Sequence, residues 1–156
     1  MTGVQTCALP ISDLDERIRS AHDALIAESR VIPAARAGDG DVLERVIAGR
    51  EALRSLFDQV FVFSLDGRIT VDMPPLDRRG MDVTDREYFQ RTVATGQPFI
   101  SQPFLARRTE QPTIQMTAPI RDATGRMVAI LGGALSLFDQ NFLGALAAAA
   151  VGRTGH

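Results

Sequence analysis

With 156 residues, 45% of them hydrophobic and 23% charged, the chain has the size and composition of one globular domain with a real core. A formal net charge of −2 offers no electrostatic attraction for nucleic acid or for an anionic membrane surface. The longest apolar runs, 127–137 and 142–151, fall short of the roughly 18–20 residues that cross a bilayer and have the size of a core strand and a helix.

The chain opens with TGVQTCALPIS over residues 2–12, which has no basic start, no apolar core of signal-peptide length and no helical periodicity. It resembles the conceptual translation of a common sequencing-library adapter, and residues 1–12 are set apart as non-native; a natural disordered terminus is the alternative. On the first reading a signal anchor or transmembrane helix before Asp13 is missing from the chain. Cys7, the one cysteine, then carries no information about redox compartment.

From Asp13 to about Ala37 the apolar residues Leu14, Ile18, Ala21, Ala24 and Leu25 recur at helical spacing. Ser12 or Asp13 suits the N-cap, and Pro33 is expected to kink or interrupt the helix. Gly38-Asp39-Gly40 marks a break, after which Asp41 is expected to cap a second helix running through Val42, Leu43, Val46, Ile47, Leu53 and Leu56 to about Phe57.

The period then changes. Val60 to Ser64 is a β-branched and aromatic run of strand length, Leu65 to Arg68 contains an Asp-Gly hairpin turn, and Ile69 to Met73 is the returning strand. Pro74-Pro75 ends it, and a polar loop follows to Val83. Thr84 or Asp85 is expected to cap a short helix from Arg86 to about Ala94, stopped at Gly96. Three strands are expected at Pro98–Ala106, Pro112–Ile120 and Arg126–Leu137, with connections at 107–111 and 122–125, and a closing alanine-rich helix at 138–151. This order predicts an α+β domain: a five-stranded antiparallel sheet with a short helix inserted between strands two and three, preceded by long N-terminal helices. Gly132-Gly133 falls inside the last strand, where glycine either lets a ligand or backbone approach closely or marks a bulge, and a bulge is the preferred reading.

Familiar catalytic constellations are absent from this sequence. His22 has no ligand-spaced partner and His156 is terminal, so no metal site is expected. There is no P-loop, no Gly-x-Ser-x-Gly and no Gly-x-Gly-x-x-Gly, and no His or Cys stands where it could activate a nucleophile. Asp66, Asp82, Asp85 and Asp122 occupy turn or cap positions that favour aspartate for backbone reasons. Neither an enzyme nor a cofactor is expected.

The stretch from Phe57 to Phe138 carries FVFSLDGRITV, then DVTDREYF opening the short helix, then GQPFISQPF and QMTAPIRDATGRMVAILGGALSL. In this order and spacing the chain resembles the membrane-distal module of a double Cache domain, a PAS-like extracytoplasmic sensor of bacterial transmembrane receptors. The resemblance implies that residues 13–57 are stalk helices, that 58–151 form the sensor module, and that 152–156 begin a truncated second module. It implies a periplasmic part of an inner-membrane protein, anchored by segments outside this chain, dimeric through its stalk helices and connected to an output domain such as a histidine kinase, a diguanylate-type cyclase or a chemotaxis transducer.

In that family a small ligand lies between the sheet and the inserted helix. Arg86 matches the position whose guanidinium holds a ligand carboxylate, a geometry suited to bidentate pairing, and the start of a helix adds N–H groups and a favourable dipole. Tyr88 and Phe89 match the aromatic wall, although Tyr88 stands where amino-acid-binding members carry Trp and Phe104 where a tyrosine is usual. Ser101, Gln115 and Thr117 are further candidates, the last two being alternate residues of one strand that share a face. The acidic positions that receive a ligand ammonium align with Ala106 and Ala134. The resemblance therefore implies a small-molecule ligand with a carboxylate and no amine, such as a short organic acid. The bland readings are that Arg86 pairs with Asp82 or Asp85 and the aromatics pack into the core. Alternatives for the whole are a dimerisation or interaction module without a ligand, and a cytoplasmic PAS domain.

Overall fold

Near-continuous apolar runs at 60–63 and 127–131 call for a sheet with two buried faces, and helices before the strands and between them supply the covers. The computed structural model describes residues 2–105 and 112–136, with side chains from Asp15 onward. Ala106 and the connection at 107–111, Leu137, the closing helix at 138–151 and residues 152–156 lie outside the described residues.

The first helix, α1 (Thr2–Ser29), is one uninterrupted element. It includes the segment in which no periodicity was expected, because extending an existing helix costs far less than nucleating one. It also ends earlier than predicted, at Ser29, and a short 3-10 turn (Ala34–Arg36) follows Pro33, whose ring cannot continue an α-helix. The second predicted helix is divided into α2 (Gly40–Ala48) and α3 (Glu51–Leu56) at Gly49-Arg50. Its cap is Asp39, which accepts from the Val42 backbone N–H at 3.2 Å, not Asp41. Gly40 at the start of α2 lies so close to the Thr70 carbonyl that a Cβ would come within 2.6 Å of it, so α2 docks directly onto the second strand.

The strands are β1 (Gln59–Phe63), β2 (Ile69–Met73), β3 (Phe99–Ile100), β4 (Phe104–Leu105), β5 (Pro112–Arg121) and β6 (Met127–Ser136), with α4 (Glu87–Thr95) between β2 and β3. They form one antiparallel sheet in the order β2-β1-β6-β5-β3, and β4 pairs with β5 beyond β3. The predicted strand at 98–106 is thus two short ones in a single lane. Pro103 has no N–H for the ladder, and Ser101 and Phe104 are three positions apart where their partners Gln115 and Thr113 are two apart. With that lane counted once, the five-stranded plan holds. Gly132 and Gly133 sit in regular register with Thr117 and Met116, so the expected bulge is absent there.

Two cores result. Leu25, Leu43, Ile47, Leu53 and Phe57 bury one sheet face through Val60, Val62, Met116, Ala118 and Leu131. Each such fully buried aliphatic side chain contributes about 1.5–3 kcal/mol. Ala21 and Leu25 belong to this core and Ile18 packs on it, so the apolar stripe of α1 is used within the chain rather than held out for a second copy. The other face carries Phe61, Phe63, Ile69, Ile130 and Ala134, covered by Val83, Tyr88 and Phe89 from the loop and α4.

Candidate ligand-binding site

Because side chains alternate along a strand, the face beneath α4 can be read from the register. Asp72, Phe61, Gly132, Thr117 and Phe99 form one row across β2, β1, β6, β5 and β3; Gln59, Ala134 and Gln115 form the next. Phe104, opposite Thr113, borders that face. All seven predicted residues, Arg86, Tyr88, Phe89, Ser101, Phe104, Gln115 and Thr117, belong to this face, its bordering lane or the helix that covers it.

The segment between β2 and α4 places Arg86. Asp72 is buried at 2% exposure and accepts from the backbone N–H groups of Leu76 and Arg78 at 2.9 and 3.0 Å. The Arg78 Nε donates to its other oxygen at 3.1 Å, and the Arg78 guanidinium lies 4.8 Å above the Phe61 ring. Nη2 is 2.9 Å from the same carboxylate but outside the hydrogen-bonding direction. The chain then returns beside β2 through the Gly80 to Ile69, Ile69 to Met81 and Val83 to Gly67 backbone hydrogen bonds. Asp82 accepts from the Thr84 N–H and hydroxyl, closing a turn that delivers Arg86 to the helix start.

Arg86 is the N-cap residue of α4, one position earlier than the predicted role, with extended backbone (φ −88°, ψ 136°) and no side-chain cap. Neither Thr84 nor Asp85 is the cap, because the Asp82 turn holds Thr84 and the Arg86 N–H bonds to Val83. The half-buried Arg86 guanidinium lies 5.3 Å above the Phe104 ring. From there a ladder of aromatic rings runs inward: Phe104 to Tyr88, Tyr88 to Phe63 and Phe63 to Phe61, each pair with centroids 5.7 Å apart. Tyr88 and Phe89 are buried within the aromatic core. Gly96 ends α4 in the left-handed conformation (φ 66°), as its position predicted.

Ser101 and Thr117 use their hydroxyls on the protein. Ser101 Oγ accepts from the Gln115 N–H at 2.9 Å. The Thr117 hydroxyl shares a 2.6 Å hydrogen bond with Thr92 on α4, and Thr92 Oγ1 donates to the Tyr88 carbonyl at 2.6 Å. On the other side of the sheet His22 Nε2 bonds the Thr117 carbonyl at 3.0 Å, so α4, β5 and α1 meet at one residue. Gln115, 2% exposed, donates through Nε2 to the carbonyls of Met116 and Gly133 at 3.1 and 3.2 Å. Sequence reasoning missed Asp72, Arg78, Thr92 and the role of His22; an aspartate inside an otherwise apolar strand, six residues before an arginine, was the one available signal. Among the described residues there is no cluster of three His, Cys, Asp or Glu side chains able to hold a metal, and no helix long and apolar enough to cross a membrane.

This fold, a PAS-like sheet with a helix and loop laid over one face and long helices over the other, is that of the ligand-binding domains of bacterial chemoreceptors. The chain is similar to that of the Pseudomonas fluorescens chemoreceptor CtaA, solved with L-serine (TM-score 0.65, 23% identity, 91% of this chain and 59% of that one). It is similar also to the Pseudomonas aeruginosa amino acid chemoreceptor PctC, solved with GABA (TM-score 0.66, 17% identity, 89% and 63%), and to Campylobacter jejuni Tlp3, solved with L-valine (TM-score 0.66, 15% identity, 89% and 59%). The chain therefore spans about three-fifths of those domains. No family model and no curated protein matches it.

Proposed function

We propose that this chain is the small-molecule sensing module of a transmembrane signal-transduction receptor, and that it binds a small carboxylate at Arg86. The observation that carries the reading is Arg86 itself: a guanidinium at the N-cap of α4, where no side chain caps the helix, above the Phe104 end of an aromatic ladder. The helix dipole and a bidentate fork both favour one carboxylate there. The structural neighbours support this, since L-serine, GABA and L-valine share a carboxylate. Tyr88, Phe89 and Phe104 form the apolar wall, Gln115 lies on the floor, and Ser101 and Thr117 hold the floor and lid in place. The module would stand in the periplasm, tethered by segments beyond this chain. A dimer through its stalk would meet through the outer face of α1, which bears Asp15, Glu16, Arg19 and Asp23, since the apolar stripe is occupied.

Signalling follows from linkage: a ligand that prefers one placement of α4 shifts the population toward it. The Thr92–Thr117–His22 contacts offer a short route from α4 through β5 to α1.

The test is a thermal-shift screen of the full chain against organic acids and amino acids, beside Arg86→Ala. A ligand at a hundredfold over its Kd adds about 2.7 kcal/mol, which for a domain of this size raises Tm by roughly 5–10 °C. The shift is expected with carboxylates and absent in the variant. Stabilisation that survives Arg86→Ala would remove the anchor. A folded protein that answers to no acid would instead favour a module that mediates contacts without a ligand.

A further inference from the structure

The identity of the second ligand group is written in Gln115. This residue lies on the α4 face of β5, directly opposite Ala134 on β6, whose methyl brings no charge to that face. Its Nε2 donates to two backbone carbonyls, Met116 and Gly133. That pairing fixes which end of the amide is which, because the reverse orientation would set an oxygen against two oxygens. Its other end is therefore the carbonyl oxygen, an acceptor without charge.

Gln115 is close to the anchor. Phe104 faces Thr113, making it the diagonal cross-strand neighbour of Gln115 at roughly 7–8 Å, and the Arg86 guanidinium stands 5.3 Å over the Phe104 ring. A molecule of a few carbons beside the Phe104 ring would span the two. Gly132 keeps this arrangement open: a Cβ there would come within 2.6 Å of the Phe63 ring and 2.8 Å of Gln115 Nε2.

Resting on the carboxylate reading of Arg86, we propose that Gln115 is a specificity-determining residue and that the ligand is a short 2-hydroxy acid, its carboxylate on Arg86 and its hydroxyl donating to Gln115 Oε1. A hydroxyl satisfies a neutral acceptor without bringing charge. An ammonium at the same point would lose its hydration and gain no counter-charge from Ala134 or Gln115. A methylene or methyl would leave the acceptor without a donor.

Propionate, lactate and alanine isolate this choice, since they differ only in hydrogen, hydroxyl or ammonium at C2. Isothermal titration of the full chain with each, using both lactate enantiomers, is expected to give one lactate enantiomer at least roughly tenfold tighter than propionate, with alanine weakest, as hydrogen-bonding sites discriminate. In Gln115→Leu lactate should fall to the level of propionate while propionate is little changed. In Gln115→Glu alanine should gain on lactate, which loss of packing alone would not produce. All binding should vanish in Arg86→Ala. Equal binding of propionate and lactate, or alanine ahead of lactate in the unaltered protein, overturns the assignment of Gln115 and leaves Arg86 standing. Binding of none of the three, or lactate binding that survives Arg86→Ala, overturns the carboxylate anchor beneath it.

Discussion

Gly132 and Gly133 are neighbours on β6 that serve opposite faces of the sheet. A side chain at Gly132 would meet Phe63 and Gln115 below α4; one at Gly133 would meet the Phe57 ring within 2.6 Å on the helix-packed face. Both positions need close approach, which is why a bulge is not required to explain either. Ala at either position gains up to about 1 kcal/mol from a less flexible unfolded chain, but forces a packed ring aside at a typical cost of about 1–3 kcal/mol. Urea unfolding should show both variants destabilised. Ligand titration should separate them: Gly132→Ala weakens binding by displacing Gln115, and Gly133→Ala leaves affinity within a few-fold.

The attachment of α4 to the sheet is polar as well as apolar. Thr92, fully buried, joins the Tyr88 carbonyl to the Thr117 hydroxyl, and the Thr117 carbonyl reaches His22 on α1. Thr92→Val keeps the shape and removes the link, leaving the Thr117 hydroxyl short of a partner at a cost of about 1–3 kcal/mol. Hydrogen exchange of the α1 amides around His22 is the direct measure of coupling. In the unaltered protein, ligand should change their protection; in Thr92→Val that change should disappear while affinity stays within a few-fold. Undiminished transfer in the variant would move the route away from Thr117. The residues of the candidate site were legible before their placement: Arg86, Tyr88 and Phe89 are proposed from the DREYF motif, and Gln115 from strand alternation. The buried Asp72–Arg78 pair was not, because nothing in local periodicity says that a loop will fold back onto its own strand and bury a charge.

For the whole molecule, an ion pair adds to the apolar packing of the helical layer. Arg50, at the break between α2 and α3, contacts Glu28 near the end of α1 through Nε and Nη2. The Arg50 hydrogen bond holds the Glu28 carboxyl below its usual range, with burial opposing. A carboxylate depressed in the folded state adds stability that is fully present above its unfolded pKa and is lost as pH falls through the folded value. Acid unfolding of the unaltered protein should therefore steepen below about pH 4.3, the ordinary glutamate value. Arg50→Gln should lower stability at neutral pH and flatten that part of the curve, read by urea midpoints between pH 3 and 7.

What the sequence determined by itself is whatever depends on neighbours in the chain. Strand alternation, the Asp-Gly hairpin, the Gly96 stop and the order of helices and strands are local, and together they specify an α+β sheet with an inserted helix. Tertiary structure decided what depends on residues far apart. Pro103 and an extra residue split one strand only because β5 sets the register opposite it. The stripe on α1 packs on β5 because Ala21 and Leu25 bury against the same sheet face as Met116 and Ala118. Gln115 is an acceptor because Met116 and Gly133 take both of its amide hydrogens, and no reading of a single strand contains the carbonyl of another.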